Sequence, residues 1–417
     1  MAQDDLERLE AAAEAAWMFA LPLIEIATTR ARSQATGTRM NVFGHMRRLA
    51  DHNARGVTTP NNDTFYSTAQ VDLCAGPVTI TLPPSGERYL SLALMDAYTN
   101  NFAVLGTRTT GGEGGVFTLV GPRDAASADP HTIRSPTDHV WALARVLVAS
   151  PEDAEAAQAV QRGISMQGPA LDWPGPYANR AADWRDYFAS AAALMAANQP
   201  PVTDLAMLQT MAPLGLDRWD PARFSNAEVA AIEAGVARAR QQSRRGGLSG
   251  GDPIDGWTYP DWRLGVFGEA YQFRAAVALS GLAALPPVEA MYMRAVDPAG
   301  AQLFDGAKAW RLHFDADRHI PVGSFWSLSL YEATDDGQFF FTENPLGRYA
   351  IGDRTPGLVR GADGSLDLWI GHADPGDARR PNWLPAPAGP FALFMRAYLP
   401  KPELLSGDYR LPPVTLA

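Results

Sequence analysis

The chain has 417 residues, enough for two or three domains, and a protein of this length buries most of its apolar surface without disulfide staples. At 46% hydrophobic, 10% aromatic and 19% charged residues, the composition excludes a disordered chain or a long coiled coil. The formal charge is −11, the only lysines are Lys308 and Lys401, and the arginine pairs Arg47-Arg48, Arg244-Arg245 and Arg379-Arg380 are isolated, so no basic stripe for nucleic acid is present.

The first element read along the chain is a helix from Asp4 to about Arg32, with Leu6, Leu9, Ala13, Trp17, Ala20 and Leu21 at three- and four-residue steps and Pro22 expected to kink or divide it. Its apolar stretch Ala15 to Ala27, interrupted by Pro22 and Glu25, reads as too short to span a bilayer. The acidic N-terminus lacks the basic region of a secretory signal, so a cytoplasmic protein with no membrane partner is expected. Strand patterns follow at Thr64–Asp72, 78–82, 89–95 and 116–120, then a strand or short helix at 140–148 and a helix after Pro151. The single cysteine, Cys74, forms no intrachain disulfide and reads as a small buried hydrophobe.

The middle of the chain carries helix-period segments at 184–198, 225–242 and 268–282, with Ser225 and Glu228 spaced as a capping box. A Gly/Ser/Asp loop from Arg244 to Gly256 is the best candidate for a mobile segment. Strands return at 310–314, 325–331, 366–370 and 391–398, with turn signals at Asp336-Gly337 and Asp363-Gly364 between them. The fold class that follows is α+β, mainly β. Two β-sandwich or jelly-roll-like lobes carry accessory helices and are joined by a helical middle segment, divided as residues 1–165, 166–285 and 286–417.

Three segments concentrate polar and aromatic side chains beyond what simple turns need. In Asn61-Asn62-Asp63-Thr-Phe-Tyr66-Ser67 the plain reading is an Asx turn before a strand, and the functional one an ionised Asp63 beside Tyr66, able to grip or deprotonate a substrate hydroxyl. In Asp96-Ala-Tyr98 the carboxylate ends an apolar strand and needs a partner, for which Arg88 or Arg348 is expected. Asp63 and Asp96 together would form an acid/base pair, and the 61–67 segment is expected within about 10 Å of Asp96, two strand spacings away. The third segment joins Asn344 to Tyr349 with Asn382-Trp383 and with Arg396-Ala-Tyr398, and the proline-rich stretch after Trp383 predicts an ordered loop with Trp383 packed.

Cofactor signals are missing. Seven scattered histidines give no metal-binding pair on one helix, leaving His45, His52 and Asp63 as the only clustered set, and no metal is expected. No serine-nucleophile elbow, dinucleotide fingerprint or P-loop occurs, so no cofactor is expected. The many large rings read mainly as core, with a minority available to line a small-molecule pocket.

The run Asn61-Asn-Asp-Thr-Phe-Tyr-Ser, with Arg88-Tyr and Asp96-Ala-Tyr-Thr-Asn, resembles the family called domain of unknown function 1254. The later motifs Phe325-Trp-Ser-Leu-Ser-Leu-Tyr, Asn344-Pro-Leu-Gly-Arg-Tyr and Asn382-Trp-Leu-Pro-Ala-Pro-Ala-Gly-Pro-Phe resemble its C-terminal companion, domain of unknown function 1214. The resemblance implies two sandwich-like lobes with accessory helices, implies little about activity, and brings with it a group in which exported members are common.

The functional expectation is a metal-independent hydrolase or lyase acting on a small polar or glycoside-like compound. Asp63, Asp96 and Tyr66 are its catalytic candidates, and Asn61, Asn62, Tyr98, Arg348 and Trp383 its substrate-binding ones. The alternatives are a non-catalytic small-molecule or carbohydrate-binding protein and a structural protein. The expected partner is a small ligand, with a homo-oligomer possible.

Overall fold

In the computed structural model, which describes residues 3–243, 247–248, 251–300, 302–335 and 337–417, the chain folds into two β-sandwich lobes and a helical layer. The fold is α+β with mainly β sheets. Part of the expected mobile loop (244–246 and 249–250) and Asp336 of one expected turn lie outside the described residues.

The first lobe stacks a five-stranded sheet, built around Thr64–Asp72, His139–Leu147 and Leu90–Asp96, on a four-stranded sheet containing Val78–Leu82 and Gly115–Val120. Side chains alternate along a strand. Phe65, Ala69 and Val71 therefore point, with Leu90, Leu92 and Leu94, onto Ile80, Phe117 and Leu119 of the facing sheet and make one dry core. The second lobe repeats the plan. Its seven-stranded sheet contains Ala290–Ala295, Trp326–Ala333 and Pro390–Tyr398. Leu328, Leu330, Leu393 and Met395 meet Leu312 and Leu368 of a four-stranded sheet.

The helix Gln3–Ala35 runs unbroken through Pro22, so the expected division does not occur. By length and composition this helix is able to cross a membrane, but 72% of its most apolar window is buried inside the protein. It packs with Trp184–Ala197, Asn226–Ser243 and Tyr271–Ser280, sharing a core in which Trp17 stacks on Tyr187 with ring centroids 5.4 Å apart. The leading helix thus sits in the helical layer and meets the first lobe at Ala97 and Tyr98. The capping box at Ser225 forms, with the Glu228 carboxylate accepting the Ser225 N–H at 2.8 Å. Cys74, expected to be buried, is exposed just past the end of the Thr64–Asp72 strand.

Candidate functional site

The outer faces of the two large sheets meet each other, and that meeting gathers the polar groups. Antiparallel register sets Tyr66 opposite Arg145, and Arg145 opposite Ser91, on the face turned away from the first lobe's core. In the second lobe, register sets Tyr292 and Ser327 opposite Arg396, with Tyr398 two residues further along the same face. Tyr89 and Tyr398 pack edge to face at 5.2 Å, and Phe325 stacks on Tyr398 at 4.1 Å, which locks the two faces together. Ala283 and Leu285 of the middle segment cover one side of this seam.

Two arginines in the seam are buried without a carboxylate ion pair among the described residues. Arg396 donates to Ser329 Oγ at 2.7 Å and to the Thr59 carbonyl at 3.0 Å. Arg145, only 4% exposed, donates Nη2 to the Ala283 carbonyl at 2.8 Å and leaves Nη1 with no partner. Its guanidinium lies 5.3 Å from the centroid of the Tyr66 ring, and Tyr66, Tyr292 and Tyr398 are all within its electrostatic reach. The Tyr398 hydroxyl accepts from Asn61 Nδ2 at 2.9 Å and the Tyr292 hydroxyl from the Leu285 N–H at 3.3 Å. Each keeps its own proton, because burial pushes both phenols above their ordinary range. Among the described residues no acceptor takes those protons or that of half-buried Tyr66.

Of the expected site residues, Asn61 and Tyr66 belong to this arrangement and the rest are engaged elsewhere. Asn61 Oδ1 also accepts the Asp63 N–H at 2.5 Å, so the plain Asx-turn reading holds as well. Asn62 donates to the Ala50 carbonyl and pins its own loop. Asp63 is 5% exposed and its carboxylate is taken up by the other lobe, accepting from Ser327 Oγ at 2.6 Å and from Arg354 Nη2 at 3.1 Å. Arg354 also donates to the Val148 carbonyl at 3.0 Å and lies 4.0 Å from the centroid of the Phe325 ring. Asp63 is thus a clamp between lobes, not a carboxylate open to a cavity.

The expected acid/base pair does not form. Val148 donates to the Asp63 carbonyl, whereas Asp96 is opposite Val140. The two carboxylates therefore sit at opposite ends of the strand between them, roughly 26 Å apart at ~3.3 Å per residue. Asp96 closes its own turn, accepting the Tyr98 and Asn100 N–H groups at 2.9 Å, and burial raises its carboxyl to about 6. Neither expected arginine partners it, because Arg88 forks onto Asp153 and Arg348 binds carbonyls. The cation that acts on Asp96 is Arg274. Tyr98 donates to the Asn198 carbonyl at 2.7 Å.

At the C-terminal candidates, Arg348 Nη1 binds the carbonyls of Pro381 and Trp383 at 2.9 and 2.8 Å, and Trp383 is buried with Nε1 on the Gly371 carbonyl. Both order the proline-rich loop, as its sequence predicts. His45 bonds Ser67, and His52 bonds Tyr349. Among the described residues no group of three or more His, Cys, Asp or Glu side chains is placed to hold a metal.

Arg145 and Tyr292 lie outside the three polar segments, whereas Arg396 and Tyr398 belong to the third of them but were given no role. The signal was an arginine in the middle of an apolar strand, in Val-Trp-Ala-Leu-Ala-Arg145-Val-Leu and again in Phe-Ala-Leu-Phe-Met-Arg396-Ala-Tyr. Such a charge is tolerated there only with a specific environment.

Residues 40–168 match the family model described as protein of unknown function DUF1254, and residues 289–402 match that described as protein of unknown function DUF1214. The chain is a DUF1254–DUF1214 protein. The two matches coincide with the two sandwich lobes, so the seam is where the DUF1254 and DUF1214 domains meet. No curated protein matches the sequence. The DUF1254–DUF1214 chain shares its fold with the VPA0106 protein from Vibrio parahaemolyticus. That structure is 22% identical with a TM-score of 0.74, over 98% of this chain and 100% of that one. An uncharacterized protein from Burkholderia cenocepacia, 13% identical, aligns over 99% of this chain and 96% of that one with a TM-score of 0.44.

Proposed function

We propose that the protein binds a small carboxylate-bearing molecule at the seam between its lobes, with no metal or cofactor. The observation that carries this reading is the buried Arg145 guanidinium, whose Nη1 has no partner, beside three phenols with protons to donate. A guanidinium is always charged and pairs best with a planar carboxylate, and phenol O–H groups complete the acceptor's remaining lone pairs. The guanidinium can only donate, and each phenol has a proton left to donate, so the chemistry favours an anion over a cation or an apolar ring.

Hydrolase- or lyase-type chemistry on the bound molecule is a second reading, favoured by one observation. Tyr66, alone among the expected catalytic set, has a hydroxyl left unbonded beside that guanidinium. Asp63 and Asp96 have no part in it.

The test is titration calorimetry of the full chain with pentanoate, benzoate and their amides. Carboxylates should bind at least tenfold more tightly than the amides, and Arg145→Gln should remove that difference. Equal affinity for acid and amide, or an unchanged Arg145→Gln protein, refutes the reading. Release of product from an ester or glycoside of the bound acid, abolished in Tyr66→Phe, would establish the second.

A further inference from the structure

The seam continues beyond Arg145 along the sheet. On the outer face of Thr64–Asp72 the side chains in order are Tyr66, Thr68, Gln70 and Asp72, opposite Arg145, Leu143, Trp141 and His139 of the neighbouring strand. Ala93 and Met95 continue the second and third rows onto the next strand. The face therefore changes character in steps. Tyr66 and Arg145 make a polar end. The stretch that follows is apolar in effect, since Leu143 of the second row and Met95 of the third pack with Ala283 and with the rings of Tyr66 and Trp141. Thr68 does not alter this, because its hydroxyl is occupied by Trp141 Nε1 at 2.7 Å.

Within the third row Gln70 restores polarity. Gln70 is 3% exposed, and both its Oε1 and its Nε2 lack a partner. A buried carboxamide in that condition is costly unless something accepts from and donates to it. Beyond it, Asp72 holds a negative charge, accepting the Cys74 N–H at 2.8 Å and lying 3.4 Å from His139 Nε2. Buried Arg30 lies within electrostatic reach of Asp72 and offsets that charge, and the Gln70 amide itself both donates and accepts, so a neutral group with both a donor and an acceptor fits there. Four residues separate Tyr66 from Gln70, a span of roughly 13 Å.

From this arrangement, and resting on the carboxylate-binding reading above, we infer that the ligand is an elongated acid with two polar ends. Its carboxylate lies at Arg145, its apolar chain over Leu143 and Met95, and a neutral hydroxyl or amide at its far end bonds Gln70. Extended 10-hydroxydecanoic acid matches the span.

Titration calorimetry of the full chain with 10-hydroxydecanoic acid, decanoic acid and pentanoate separates this inference from the reading beneath it. The hydroxy acid should bind at least tenfold more tightly than decanoic acid. Gln70→Leu should abolish that preference while leaving decanoic acid bound, and Gln70→Met serves if the leucine variant does not fold. Arg145→Gln should weaken both acids. If decanoic acid binds as well as the hydroxy acid, or the preference survives Gln70→Leu, the two-ended ligand is wrong and the carboxylate site stands. Binding of pentanoate without either long acid would likewise exclude the two-ended ligand and leave the carboxylate site in place. Failure of every carboxylate to bind overturns both.

Discussion

Replacing Asp63 by asparagine should destabilise the protein and leave any ligand chemistry intact, the reverse of what a catalytic carboxylate would do. The wild-type carboxylate is buried and holds two charge-assisted hydrogen bonds across the seam, from Ser327 at 2.6 Å and Arg354 at 3.1 Å. Breaking a buried ion pair by removing one partner costs about 3–5 kcal/mol, because the remaining charge is stranded. Two features reduce that figure. Asparagine retains one oxygen to accept from either donor, and the Arg354 side chain is 20% exposed, so water partly solvates it. About 2–3 kcal/mol is the expected loss. Urea denaturation measures it, and a double-mutant cycle with Ser327→Ala should return a coupling of about 1 kcal/mol or more, since the two groups are in direct contact. A loss below about 0.5 kcal/mol, with additive single effects, would refute the clamp. A fully stable but inactive Asp63→Asn protein would return the residue to the catalytic set.

Two further predictions follow from the same geometry. Asp96, its carboxyl raised to about 6 by burial, is protonated more readily in the folded chain than in the unfolded one. Its contribution to stability is therefore present below about pH 4 and lost as pH rises through about 6. Asp96→Asn should reduce the fall in unfolding free energy between pH 4 and 7 by up to ~3 kcal/mol, and an unchanged pH dependence in urea titrations would show that Asp96 does not titrate in this way. Trp383→Ala should cost ~3–5 kcal/mol by opening a cavity under the proline-rich loop, whereas Trp383→Phe, which removes the bond to Gly371, should cost only ~1–2 kcal/mol. Equal losses by denaturant unfolding would mean that the ring's packing contributes little.

Much of the fold was legible because its signals are local. The strands Thr64–Asp72, Val78–Leu82 and Trp310–Phe314 have the bounds that alternation predicts. The helix at Asn226–Ser243 starts where its capping box says. Pro22 misled because a proline's missing donor is tolerated in a helix whose stability comes from burial on three neighbouring helices. The site was legible only in part. Asn61 and Tyr66 stood out as a crowded polar motif, but in Asp63 the same crowding reflects contact with residues 264 and 291 positions away. Periodicity cannot report such pairings. Arg145 was hidden for a related reason: its strand reads as apolar, and its partners Tyr66, Tyr292 and Tyr398 come from three other strands.

The composition of the seam is itself an argument for function there. Each sandwich already buries its apolar faces internally, and the surfaces left to meet carry Asp63, Ser327, Ser329, Arg396 and Arg145. For adhesion alone this is a poor choice, since well-packed apolar residues of similar volume are commonly as stabilising as a buried ion pair or more so. The Asp63 carboxylate and the Arg396 guanidinium at least find partners. Arg145 Nη1 and both polar atoms of the Gln70 side chain do not, and each such group costs about 1–3 kcal/mol while holding nothing together. These two side chains lie on one face, two rows apart, with an apolar stretch between them, and that spacing gives them a use that adhesion does not: they can hold the two ends of a molecule lying along the sheet.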